Sequence, residues 1–304
     1  MHKFYSNGKL LLSGEYLILD GAKGLALPTL YGQELNVERT ERENTLSWTS
    51  IDEKGAVWFK AQYSLPELTL LSFDGDRKVA ETLQKILLQA KITNTAFLND
   101  ANGIQVTTKL SFSRNWGLGT SSTLINNIAQ WAKVDAFDLL FNSFGGSGYD
   151  IACAQHDQAI TYQLKDNTPS IETVVFDPSF KDQLYFVHLN KKQISSESIK
   201  AYKSNKFDEK AVQRITEISK SLLIANTLSD FNALLKEHES ILSLILKEQT
   251  IQQRLFSDFK GQIKSLGAWG GDFILATGDH TTTDYFSLKG YQTVIPYASM
   301  IKTI

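Results

Sequence analysis

The chain has 304 residues, 42% of them hydrophobic and 21% charged, with a formal net charge of −2. That is enough apolar side chain for one large core and more naturally for two, and no basic stripe of the kind a nucleic-acid binder carries is present. The single cysteine, Cys153, excludes an internal disulfide, no run of ~18 apolar residues offers a membrane span, and no leader is read in the first twenty residues, so a cytoplasmic protein with a small-molecule partner is expected.

The first sixty residues read as strands. Residues 9–19, 33–39, 45–50 and 56–63 are rich in β-branched, aromatic or alternating residues. Residues 76–92 place Val79, Leu83, Ile86 and Leu87 at helical spacing, and a strand follows at 103–112. After it comes "NWGLGTSSTLINNIAQW", whose glycines and hydroxyls open a helix expected to run to about Lys133. Next, "FDLLFNSFGGSGYDIACAQHD" holds a glycine-rich turn between two short helical pieces, and 158–164 and 171–176 look like strands.

Composition shifts after Asp166. A strand at 184–190 precedes three helical stretches, 208–226, 230–247 and 249–266. A glycine turn and strand follow in "GAWGGDFILATG", and 291–297 reads as a final strand. Strands with helices first and helices then strands second predict a two-domain α+β protein. The boundary is placed between residues 168 and 169.

The glycine stretch carries chemistry. The first turn of a helix has N–H groups without partners, at the positive end of the helix dipole. Phosphate docks there if the backbone can come close, and Gly117 and Gly119 remove the side chains that would prevent it. The hydroxyls of Thr120, Ser121 and Ser122 can cap the helix, bond phosphate or ligate Mg2+. A Walker A loop is absent, and a dinucleotide fingerprint would need a glycine where Ser122 stands. An ordinary strand-to-helix turn fits these residues as well. Likewise Asp150, in "GGSGYD", suits a helix cap or a general base. The five histidines, His2, His156, His188, His238 and His280, are dispersed and form no metal spacing; they read as ordinary surface or core residues. GxSxG is absent.

Four stretches, "NGKLLLSGEYLILDGAKGLALPT", "GLGTSS", "GGSGYD" and "KSLGAWGGDFILATG", stand in the order and at the spacing of the conserved blocks of the GHMP kinase superfamily. Together they resemble that superfamily, and the GEY and GSGYD forms resemble its phosphomevalonate and mevalonate kinase branch. The resemblance implies an N-terminal ribosomal-protein-like α/β sandwich (1–168) that binds ATP and a C-terminal ferredoxin-like α+β domain (169–304) that completes the acceptor pocket. It implies transfer of the γ-phosphoryl of ATP, with Mg2+, to a small acidic acceptor, phosphomevalonate or mevalonate. ATP phosphates would lie over Gly117, Leu118, Gly119, Thr120, Ser121 and Ser122. Asp150 would be the catalytic base, Lys9 the charge-stabilising lysine and Ser121 the Mg2+-linked serine. Gly148, Gly270 and Gly271 would shape the substrate pocket, with Lys192 and Ser195, beside Lys191 and Ser196, holding the acceptor's acid group. Glu15 is structural or a weaker site candidate.

The sequence also departs from the pattern. Ser113 and Asn115 replace a usual proline and glycine, and Trp269 stands where a small residue is common. The resemblance implies a glutamate ahead of the catalytic aspartate as a second Mg2+ ligand, but none lies between Ser122 and Asp150; Asp135 and Asp138 are the acids in that window, and Asp138 is the candidate substitute. Alternatives are a sugar kinase or a diphosphomevalonate decarboxylase of the same fold, or a metabolite-sensing member without catalysis.

Overall fold

A computed structural model describes residues 1–41, 44–99, 102–166, 168–191, 202 and 209–303. They form two compact units. The first comprises Met1–Gly8, Tyr31–Arg114 and Leu118–Gln155; the second comprises Lys9–Leu30, Asn115–Gly117 and His156–Ile304.

In the first unit the sheet runs β5 (Leu70–Asp74), β4 (Val57–Ser64), β3 (Thr45–Ile51), β6 (Gly103–Leu110) and β2 (Gly24–Thr40). Of these four ladders, β3–β6 is parallel and the other three are antiparallel. Alternation drives the sheet: Leu46 and Trp48 of β3 point inward while Ser47 and Thr49 stay half-exposed. Four helices bring their apolar stripes to the same core: α1 (Arg77–Thr93), α2 (Thr120–Ala132), α3 (Ala136–Ser143) and α4 (Tyr149–Gln155). Leu83, Ile86 and Leu87 of α1 are buried there, each contributing roughly 1.5–3 kcal/mol. Asp76 caps α1 through Lys78 N–H, and Asp135 caps α3 through the N–H groups of Phe137 and Asp138.

In the second unit, the start of β2 pairs with β7 (Ile160–Lys165), which pairs with β8 (Thr168–Thr173). β1 (His2–Ser13) enters this unit at Lys9. A separate antiparallel sheet runs β10 (Ile263–Leu266), β11 (Phe273–Thr277), β9 (Leu184–His188) and β12 (Val294–Pro296). The helices are α5 (Glu209–Ile224), α6 (Leu228–Leu246), α7 (Ile251–Leu255), α8 (Thr282–Leu288) and α9 (Tyr297–Met300). Val187, Ile251, Phe256, Ile263, Ile274 and Phe286 share one of its clusters. The whole is the mixed α+β architecture expected, and no helix among the described residues is long and apolar enough to cross a membrane.

Several expected elements come out differently: the strand expected at 171–176 lies at Thr168–Thr173, the one at 291–297 shortens to Val294–Pro296 with Tyr297 opening a helix, and two others change more. The strand expected over residues 9–19 stops at Ser13, and Leu17–Asp20 is a 3-10 turn. Gly14 breaks it: its φ is 99°, and a Cβ there would lie 2.8 Å from Gly24 Cα. The helix expected over 249–266 is only the single turn of α7, followed by β10. All four β10 residues are buried, because α6 packs against this strand of the sheet. Burial on every side erases the alternation that would mark a strand, so the run imitated a continuing helix. Gly261 fixes the break, since a Cβ there would collide with Thr277 O.

Candidate functional site

In the first unit, α2 begins without a side-chain cap. Gly119, at φ 92° and ψ 43°, is the cap residue, and the first helical bond runs from Thr123 N–H to Gly119 O at 2.9 Å. The hydroxyls divide their work. Ser122 is buried and donates back to Gly119 O at 3.0 Å; Thr123 Oγ1 lies 2.7 Å from Gln33 Oε1. Thr120 is half-buried and Ser121 is exposed at the helix start. A buried amide network holds α2 in place. Asn126 Nδ2 donates to Ser6 Oγ, Ser6 donates to Asn127 Oδ1, and Asn127 Nδ2 donates to Gln33 O. Such satisfied buried polar groups specify one position for the helix.

The same network reaches α4, where Gln155 Nε2 donates to Asn126 Oδ1 at 3.1 Å. Asp150 sits in the first turn of α4. It does not cap the helix: the N–H groups of Ile151 and Ala152 both turn to Gly148 O. Its Oδ1 is buried and makes no hydrogen bond among the described residues. An orphaned carboxylate oxygen is costly to keep. Gly145, Gly146 and Gly148 ahead of it all have positive φ. Asp138 is exposed on the first turn of α3.

In the second unit Lys9 is half-buried on β1. Six residues on, Glu15 is buried with its Oε1 2.5 Å from the Lys264 ammonium, which is itself fully buried on β10. Glu239 Oε1 lies 3.9 Å from the same ammonium. His238 Nε2 accepts the Gly14 N–H at 3.0 Å and lies 3.2 Å from Glu15 Oε2. Accepting that bond requires a neutral imidazole, so the His238 contact with Glu15 is proximity and not an ion pair. Burial pushes His238 well below its ordinary pKa. Burial also raises Glu15, against the opposing pull of Lys264 and the weaker field of Lys9, and pushes Glu239 up to about 8.

The loop after β10 is tied to the turn after β1 a second time, where Trp269 N–H donates to the Tyr16 hydroxyl at 2.7 Å. Gly267 and Gly270 take positive φ, and Gly271 N–H reaches Ala268 O. Gly117, at φ 67°, lies so close to Asp272 that a Cβ would be 2.5 Å from its carboxyl carbon. Lys191 is exposed, and its carbonyl accepts Asp272 N–H. Lys192, Ser195 and Ser196 lie outside the described residues. Among the described residues, no group of three or more His, Cys, Asp or Glu side chains is arranged to hold a metal.

Sequence reasoning missed Lys264, His238 and Glu239. A signal was present: Phe231, Leu235, His238, Leu242 and Ile245 fall on one buried stripe of α6, so His238 interrupts an apolar face.

No protein-family model matches the chain, and no curated protein matches its sequence. Solved structures do share its fold. The mevalonate kinase of Methanococcus jannaschii superposes with a TM-score of 0.72 at 11% identity, covering 100% of this chain and 98% of that one. The phosphomevalonate kinase of Streptococcus pneumoniae, solved in complex with phosphomevalonate and AMPPNP, gives 0.67 at 16% identity, covering 100% and 99%. The galactokinase of Lactococcus lactis, complexed with galactose, gives 0.67 at 13% identity, covering 99% and 95%.

Proposed function

We propose that this chain, which has the fold of the GHMP kinases, is an ATP-dependent kinase of a small acidic acceptor, with phosphomevalonate or mevalonate first in line. One observation carries the reading. α2 starts at a glycine in the left-handed region with no side-chain cap bond to its first N–H groups, and the helix packed beside it bears a buried carboxylate oxygen without a hydrogen bond among the described residues. The first feature suits a triphosphate and the second a proton acceptor.

In this reading Gly117, Leu118, Gly119, Thr120 and Ser121 cradle the ATP phosphates. Ser122 supports the loop from inside, because its hydroxyl donates to Gly119 O. Asp150 takes the proton of the acceptor hydroxyl, and Lys9 balances charge on the transferring group. Gly148, Gly270 and Gly271 let acceptor and backbone approach, and Lys192 and Ser195 hold the acid group. A magnesium ion would travel with the triphosphate, with Ser121 and Asp138 as its candidate protein ligands, since no group of three or more acidic, His or Cys side chains among the described residues would cage it alone. Bound there, the ion would neutralise phosphate charge.

The test is ADP release by the purified protein with ATP and Mg2+ across mevalonate, phosphomevalonate, diphosphomevalonate and a set of sugars. Release that depends on mevalonate or phosphomevalonate supports the proposed kinase and identifies its substrate; release that depends on diphosphomevalonate or on a sugar contradicts it in favour of a decarboxylase or a sugar kinase. Saturable binding of an acceptor without turnover contradicts it and supports a sensor.

A further inference from the structure

Two consecutive residues leading into the glycine loop, Asn115 and Trp116, dock onto one cross-strand pair. That pair is His188 of β9 and Phe273 of β11, which are register partners. The Asn115 carbonyl lies 3.1 Å from His188 Nε2. The Trp116 ring meets Phe273 edge-on at 5.5 Å and His188 at 6.5 Å, and the two latter rings lie 5.2 Å apart. Gly117 then abuts Asp272, the residue before Phe273.

The roles of the two ring nitrogens follow from their partners. Asn190 N–H donates to His188 Nδ1 at 3.3 Å, so Nδ1 is the acceptor. A carbonyl faces Nε2, so Nε2 carries the hydrogen. His188 is buried, and both its nitrogens are used, one on its own strand end and one on the loop. Asp272 repeats the pattern in backbone: its carbonyl accepts Leu189 N–H and its N–H donates to Lys191 O, both at 2.8 Å. The entry to the glycine loop is thus fastened to the same strand ends that carry the Gly267–Gly271 loop and Lys191.

We propose that His188 is a positioning residue for nucleotide binding, its Nε2–H holding the Asn115 carbonyl so that the Asn115–Gly117 backbone at the entry to the glycine loop is set before the triphosphate arrives. The inference rests on the kinase reading and adds to it a residue outside all four motif blocks. Pre-set donors avoid the ordering cost of arranging a loop on binding, so losing the clasp weakens nucleotide affinity more than it slows turnover.

Two substitutions separate the nitrogens. In His188→Gln the side-chain amide nitrogen stands in for Nε2 and reaches the Asn115 carbonyl. In His188→Asn the shorter amide serves Asn190 and leaves Asn115 without its donor. Dissociation constants for a non-hydrolysable ATP analogue are measured by titration, with KM and kcat beside them. The expected result is near wild-type affinity for His188→Gln and roughly threefold to tenfold weaker binding for His188→Asn, with kcat changed less than KM. Equal affinity in all three proteins, or equal loss in both variants, overturns the inference while leaving the kinase reading intact. A wild-type protein that binds no ATP overturns the kinase reading and the inference with it.

Discussion

The Lys264 ammonium and the Glu15 carboxylate form an ion pair at 2.5 Å in which both side chains are withdrawn from solvent. Desolvating two charges offsets most of their attraction, so such a pair adds little net stability. Removing one partner alone is different, because it strands a buried charge. Lys264→Met is expected to lower unfolding free energy by about 3–5 kcal/mol, and Lys264→Met with Glu15→Gln to recover most of that. Chemical denaturation of the two variants checks this. A double variant as unstable as the single one contradicts it.

Stability should fall between pH 6.5 and about 8, through Glu239. Its native pKa is about 8 against an ordinary 4.5, because burial outweighs the attraction of Lys264 and Glu15 adds repulsion. In that window the native state holds a proton that the unfolded state has released, so stability drops as pH rises, by at most roughly 1.4 kcal/mol per pH unit. Below 6.5 His238 acts in the opposite sense: its native pKa is depressed and the unfolded state binds the extra proton, which offsets the slope of Glu239 between 6.5 and 4.5. Glu239→Gln, a neutral isostere, should flatten the alkaline limb and uncover a fall in stability as pH drops below 6.5. Thermal midpoints across pH 5 to 9 provide the measurement, and an alkaline limb unchanged by the substitution rules the assignment out.

Asp150→Asn should reduce turnover on a hydroxyl acceptor by about 10²–10⁴ with ATP affinity unchanged. On a phosphate acceptor, already ionised, the loss should be smaller. Steady-state kinetics with a parallel nucleotide titration separates these outcomes. Loss of nucleotide binding equal to the loss of turnover assigns Asp150 to the fold or the metal instead.

Gly117→Ala should weaken ATP binding while the protein still folds. The added methyl enters a left-handed backbone at φ 67° and meets the Asp272 carboxyl, which costs about 1–2 kcal/mol in backbone strain alone and displaces the loop entry. Nucleotide titration beside a thermal melt reads both effects; unaltered affinity contradicts a role for this loop in holding phosphate.

The elements with clean periodicity were legible in the sequence. Val79, Leu83, Ile86 and Leu87 mark α1, and β3 alternates across Leu46 and Trp48. The glycine loop ahead of α2 and the glycines ahead of Asp150 were legible too, because positive φ restricts residue choice. What escaped depends on neighbours distant in the chain. β10 is buried throughout, so no alternation survives. Lys264 looks like a solvated strand lysine until Glu15, 249 residues away, is brought against it. His188 reads as an isolated histidine because both of its partners are backbone groups, which leave no trace in residue identity.

The central claim is that the uncapped amides at the head of α2 hold the triphosphate. The most direct test follows the backbone amide resonances of Gly119, Thr120 and Ser121 as ATP and Mg2+ are titrated into the protein. Saturable shifts at these amides, absent with adenosine, are the result predicted. Saturated nucleotide binding that leaves all three resonances in place would contradict the account.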